Sequence, residues 1–169
     1  MLNLLKTRRS IRKYTYEMPQ NEDIERIVEA GLYAPTGKGR QAVKFVVIKN
    51  KELRDRISKL NAQVMGAKTD PFYGAPVVIV VFADKDVPTY MNDGSLAIGN
   101  MLNEAHCLGL GSCWIHRAKE VFEMEEGKEL LKSWGLEGYE GIGNVIVGFA
   151  DGNIPEAAPR KENRVITID

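Results

Sequence analysis

Val77-Val78-Ile79-Val80-Val81-Phe82 is apolar at every position. A strand with one wet face alternates apolar and polar residues, so this run reads as a central strand covered on both faces. Immediately upstream, Asp70-Pro71-Phe72-Tyr73-Gly74 is irregular, and Ala75-Pro76 leads into the strand. Downstream, residues 91–108 place Leu96, Ile98, Met101, Leu102, Ala105 and Leu108 on more than one stripe. A helix apolar on several faces is buried in a core or a subunit interface. Gly94, Ala97 and Gly99 permit close helix contact there, and Asp93, Asn100 and His106 are its polar exceptions, readable as caps or hydrogen-bonded core residues.

Further outward the same logic sets the remaining elements. Leu2 to Thr7 reads as a short helix. Asn21 is a candidate N-cap, with Glu22 and Asp23 in the first turn, where the helix dipole favours acids. Ile24, Ile27, Val28, Gly31 and Leu32 recur at helical spacing until Ala34-Pro35 stops the helix. Lys44 to Ile48 is a β-branched run and reads as a buried strand. Residues 51–66 carry Leu53, Ile57, Leu60 and Val64 on one helical face. Gly109 or Gly111 supplies a left-handed stop, followed by a short strand through Cys113-Trp114-Ile115. Glu125 to Gly135 is a charged helix with Leu130, Leu131 and Trp134 inward, and Asn144 to Ala150 is the last core strand. Val165-Ile166-Thr167-Ile168 has strand composition behind a Pro-containing arm, which suits pairing on another subunit.

The chemistry-bearing stretch is Arg8-Arg9-Ser10-Ile11-Arg12-Lys13-Tyr14. Five of the eight residues from Lys6 to Lys13 are basic and none is acidic, although the chain has formal net charge zero. Arg8, Ser10 and Arg12 alternate, so an extended backbone points them one way. Guanidinium forks flanking a hydroxyl suit a phosphate monoester, and a solvated or nucleic-acid-binding arm is the alternative. A pI near 6.8 weighs against a dedicated nucleic-acid binder. Thr36-Gly37-Lys38-Gly39-Arg40-Gln41 is a polar loop whose glycines let backbone amides approach a ligand. No dinucleotide fingerprint is present: Gly109-Leu110-Gly111 follows a helix and opens a strand, the reverse of the required order.

With 169 residues, 44% apolar and 27% charged, the composition is that of one globular domain over 1–169. No apolar run approaches the roughly 20 residues that cross a bilayer. Leu2 to Leu5 is too short for a signal peptide's apolar region, so a cytoplasmic location is expected. Two cysteines make no disulfide framework, and no His/Cys cluster has zinc spacing, so no metal is expected.

Five pieces stand in one order: the Arg8 to Tyr14 stretch, Ala34-Pro35-Thr36-Gly37 with Gln41, Gly74-Ala75-Pro76 before the apolar strand, the Asp93 helix ending in Gly109-Leu110-Gly111-Ser112-Cys113-Trp114-Ile115, and Ala158-Pro159-Arg160-Lys161. Together they resemble the nitroreductase family of FMN-dependent oxidoreductases. The alternation of strands and helices alone points to a parallel, doubly wound sheet. The resemblance implies instead an α+β fold, with a mostly antiparallel central sheet flanked by helices. It further implies an intertwined homodimer with the C-terminal strand exchanged and FMN at each interface. Arg8, Arg9 and Ser10 are then expected at the phosphate and ribityl region, and Arg12 at the pyrimidine edge, as tuner of the reduced flavin. Pro35, Thr36 and Gly37 are expected to line the flavin from the other subunit, and Gln41 is a further expected cofactor-binding residue. Ile115 and His116 are expected beside the ring with a backbone amide near N5, and Arg160 and Lys161 closing the phosphate site. The implied activity takes hydride from NADH or NADPH by a ping-pong mechanism. It reduces a small electrophilic acceptor such as a nitroaromatic or quinone, with no catalytic side chain, no nucleic acid and no membrane. Flavin degradation, reductive dehalogenation and flavin binding without turnover are the alternatives. The chain departs from the family pattern at Gly39, often Asn, and at Ala42-Val43, often Pro-Trp.

Overall fold

The computed structural model describes residues 1–169. Its elements in chain order are α1 (Leu2–Thr7), α2 (Asn21–Leu32), β1 (Val43–Ile48), α3 (Lys51–Met65), β2 (Val77–Asp84), α4 (Tyr90–Cys107), β3 (Gly111–Ile115), α5 (Ala118–Glu123), α6 (Glu125–Ser133) and β4 (Tyr139–Gly148). The four strands form one sheet in the order β1-β2-β4-β3. Every neighbouring pair is antiparallel. The α+β expectation holds, and the parallel sheet suggested by alternation does not.

The reason lies in how each connection returns. A single helix carries the chain back along the sheet and yields a strand parallel to the last. α4 does this, so β2 and β3 run the same way. A helix plus a second pass returns the chain twice and reverses the next strand. After β1 the second pass is residues 66–76, and after β3 it is α6 following α5. β4 therefore enters between β2 and β3, antiparallel to both.

β2 has both faces covered, as its composition predicts. Val77, Ile79 and Val81 pack with Ile24 and Ile27 of α2 and with Ile98, Met101 and Ala105 of α4. Val78, Val80 and Phe82 pack with Ile57 and Leu60 of α3, Phe122 of α5 and Leu130 and Leu131 of α6. Each fully buried aliphatic or aromatic side chain stabilises the fold by roughly 1.5–3 kcal/mol. β1, expected to be buried, is a half-exposed edge strand, because only β2 flanks it. The register shifts between Val81 and Phe82, leaving Ile142 as the extra residue of a bulge. The N-cap of α2 is Gln20 rather than Asn21, whose side chain accepts from Lys49 Nζ at 2.9 Å instead. α5 is an element the periodicity does not reveal, since six residues make too short a pattern.

On α4, Asn100 donates to Ala30 O at 3.1 Å, and His106 Nε2 meets Thr7 Oγ1 at 2.8 Å. Both are structural bonds. Leu96 and Met91 remain exposed on its outer face. Residues 152–169 are exposed and form no strand within the chain. No helix is long and apolar enough to cross a membrane.

Candidate functional site

The Arg8 to Tyr14 stretch follows α1 and lies across one end of the sheet. Ser10 bridges Ser112 at the start of β3, and Ile11 N donates to Ser112 O at 3.0 Å. Four residues on, Tyr14 bridges Ala150 just past β4, and Asp151 N donates to Lys13 O at 3.0 Å. The Tyr14 hydroxyl is buried and donates to Ile11 O at 2.8 Å. Burial pushes its pKa far above the ordinary phenol value. Gly111 has no Cβ because Ile11 occupies that space, with Ile11 Cγ1 at 3.0 Å from where one would stand. Two apolar anchors, Ile11 and Tyr14, thus hold the backbone that carries the arginines.

The three arginines of this stretch have no carboxylate partner. Lys13 pairs with Asp151 at 2.8 Å, but Arg8, Arg9 and Arg12 form no salt bridge. Arg9 spends its guanidinium on backbone oxygens: Lys6 O at 2.7 Å, Arg8 O at 2.6 Å and Pro155 O at 3.1 Å. Arg8 is half-buried, and its Nη1 is buried without any acceptor. A buried unsatisfied donor costs roughly 1–3 kcal/mol. Arg12 is exposed and reaches Ser10 O only at 3.5 Å, too long to hold it.

The Pro35 to Gln41 loop follows α2 at the other end of the sheet. Gly37 N donates to Asp93 Oδ1 at 3.1 Å, and Thr89 Oγ1 donates to Asp93 Oδ2 at 3.0 Å. Asp93 is buried in the first turn of α4, where the helix dipole favours a carboxylate. A side chain at 37 would collide with the Thr89 hydroxyl, so only glycine fits. Gln41 N donates to Thr36 Oγ1 at 3.1 Å, closing the loop. Thr36 and Gln41 line a cleft of about 430 Å³ with Tyr33, Phe45 and Ala97.

The third part is the exit from β3. Ile115 O accepts from Asn144 Nδ2 at 3.2 Å, and His116 O accepts from Asn61 Nδ2 at 2.9 Å. Arg117 Nε donates to Asn61 Oδ1 at 3.2 Å, and Arg117 has φ 75°, a left-handed backbone. Both asparagines are fully buried, and Asn144 Oδ1 has no partner. Sequence reasoning missed them as site residues. The signal was present in the pattern: Asn61 stands on the apolar face of α3 beside Ile57 and Leu60, and Asn144 opens an apolar strand run.

Within one chain these parts do not meet. Arg8 to Ser10 sit at the start of β3, while Ile115 and His116 sit at its end, four residues or about 13 Å away. The Thr36 to Gln41 loop precedes Ala42, whose oxygen accepts from Asp84 N at the far end of β2. Eight strand residues, about 25 Å, separate that end from Val77, which pairs with Val147 beside the arginines. Arg160 and Lys161 are exposed and form no hydrogen bond or salt bridge, and the hydrogen bond that joins the tail to the basic stretch is Arg9 Nε to Pro155 O.

A family model described as "Nitroreductase family" matches residues 5–149. The chain belongs to the nitroreductase family. Among individual members, it is 34% identical over 135 residues to a protein of Archaeoglobus fulgidus provisionally named NADH dehydrogenase/NAD(P)H nitroreductase, covering 77% of this chain and 75% of that one. The nitroreductase with bound FMN from Bacteroides fragilis superposes with a TM-score of 0.89 at 27% identity, over 99% of this chain and 98% of that one. The iodotyrosine deiodinase of Thermotoga neapolitana is 25% identical over 132 residues, 66% of this chain and 71% of that one. All three basic-stretch arginines and the Asp93-held loop lie inside the matched region, while Arg160 and Lys161 lie beyond it.

Proposed function

We propose that this nitroreductase-family chain is an FMN-dependent oxidoreductase that takes reducing equivalents from NADH or NADPH and passes them to an electrophilic small molecule, a nitroaromatic or quinone, in two alternating half-reactions. One observation carries the reading. Arg8 has a buried N–H with no acceptor, inside a patch of three arginines that no carboxylate neutralises. A phosphate monoester fits that donor set, because its oxygens accept from guanidinium forks and its charge offsets them.

When bound, FMN would supply the two-electron carrier that a nicotinamide reduces and an acceptor reoxidises. The protein's part is binding and orientation. Arg8, Arg9 and Ser10 hold the phosphate and ribityl chain, Arg12 the pyrimidine edge, and Ile115 and His116 the ring. Pro35, Thr36, Gly37 and Gln41 lie too far along the sheet to reach the same ligand within one chain, so a second copy supplies them. This makes the active unit a homodimer. Leu96 and Met91, exposed on α4, support a face for that partner, and Val165 to Ile168 exchange onto it. Arg160 and Lys161 then close the phosphate site.

Similarity to a deiodinase supports a second acceptor class, reductive removal of halide from an aryl halide. The test is the visible spectrum of the purified protein with FMN, followed by anaerobic addition of NADH or NADPH and then of nitroaromatic, quinone or iodophenol. Bleaching by the nicotinamide and recovery with one acceptor supports the reading and names the acceptor. A protein that leaves FMN free in solution overturns it.

A further inference from the structure

We infer that Asn61 and Asn144 are positioning residues that present the backbone N–H groups of His116 and Arg117 as a paired donor for the polar edge of the bound flavin. The inference rests on the FMN-binding reading above. It starts from two buried asparagines, on α3 and β4, whose side chains serve consecutive peptide units. Asn144 Nδ2 takes the carbonyl of Ile115, and Asn61 Nδ2 takes the carbonyl of His116. In a trans peptide the carbonyl and the following N–H point in opposite directions. Two carbonyls drawn into the core therefore leave the N–H groups of His116 and Arg117 directed away from it.

Neither amide donates a hydrogen bond within the chain, to backbone or to side chain. His116 is exposed and Arg117 half-buried, so the turn that carries the pair lies at the surface. The arrangement is held at some expense. Arg117 keeps a left-handed backbone that its Cβ disfavours, tied by its Nε to Asn61. Asn144 leaves its own oxygen unpartnered in the core. An apolar residue at 144 would remove that orphan, but the Ile115 carbonyl would then lose its partner and its direction. Fixed donors aimed at an acceptor need no reorganisation when the acceptor arrives, which is where such a pair gains its effect.

The two asparagines act on different amides: Asn144 on the N–H of His116, Asn61 on the N–H of Arg117. This gives a crossed test. FMN binding to the wild-type protein is first established by fluorescence quenching. Nitrogen-15 amide spectra and hydrogen exchange are then recorded with and without FMN for wild type, Asn61→Leu and Asn144→Leu. In wild type, FMN slows exchange of both amides at least tenfold. Asn61→Leu loses the slowing at Arg117 and keeps it at His116, and Asn144→Leu does the reverse. Each variant weakens FMN binding about tenfold. If a leucine variant does not fold, the serine variant, which keeps a small polar group but loses the reach, carries the same expectation. Asn100→Ala, which loses one equally structural bond on α4, retains slowing at both amides. Wild-type protection at both amides in both variants, or joint loss of both in each, overturns the inference while leaving FMN binding standing. Failure of wild type to bind FMN overturns the functional reading instead.

Discussion

Replacing Arg8 by methionine should make the empty protein more stable and the FMN-loaded protein less stable. Methionine keeps the aliphatic packing of the arginine stem and removes the buried Nη1 that has no acceptor. An orphaned buried donor costs roughly 1–3 kcal/mol. Arg8 is only half-buried, so about 1 kcal/mol is the expected gain, a rise of about 2–4 °C in Tm for a chain of this size. With FMN the sign reverses. Loss of a charged hydrogen bond costs roughly 1.5–3 kcal/mol, which weakens binding ten- to a hundredfold. At FMN equal to 100 times the wild-type Kd, ligand stabilises wild type by about 2.7 kcal/mol. A thirtyfold weaker site gains only about 0.9 kcal/mol at that concentration by the same relation. The variant is therefore about 1 kcal/mol ahead without FMN and about 0.8 kcal/mol behind with it. Thermal unfolding of both proteins across an FMN titration shows the crossing. An Arg8→Met protein that is destabilised without FMN, and binds FMN as wild type does, refutes the assignment of the orphan donor to a phosphate.

Arg12→Ala removes a guanidinium expected at the edge of the flavin where negative charge appears on reduction. The midpoint potential should fall by some tens of millivolts, at roughly 30 mV per 1.4 kcal/mol, and potentiometric titration beside Arg8→Met, which should move it little, checks the distinction. Truncation after Arg164 removes Val165 to Asp169, and sedimentation should show a weakened dimer that releases FMN as it dissociates. Asp70 tests the fold's electrostatics. Desolvation raises its pKa, but hydrogen bonds from Arg54, Ser58 and the amides of Gly74 and Phe72 outweigh that and hold it below the usual carboxylate value. A depressed carboxylate contributes stability above its unfolded pKa, near 3.9, and loses it as pH falls through the folded value. Asp70→Asn removes one of the two carboxylates paired with the buried Arg54, leaving Asp55, and should cost about 1.5 kcal/mol at pH 7, with the gap to wild type closing below about pH 4 in urea denaturation.

Local chemistry made most elements legible in the chain itself. The apolar run at 77–82 could only be a strand with two covered faces, and α2, α3, α4 and α6 follow from periodicity because each is long enough to show a stripe. The arginine stretch was legible for a similar reason: five cations without an acid among eight residues need no tertiary context to be noticed. What the tertiary structure decided is everything that depends on how the chain returns. Alternating strands and helices are compatible with parallel and antiparallel sheets alike. Only the double pass after β1 and after β3 reversed the next strand and put β4 between β2 and β3. The same topology carried Thr36 to Gln41 to the opposite end of the sheet from Arg8, a separation with no counterpart in local pattern. Asn61 and Asn144 were hidden for the complementary reason. A polar residue in an apolar stripe reads as a flaw until the carbonyl it serves, 55 or 29 positions away in sequence, is brought beside it.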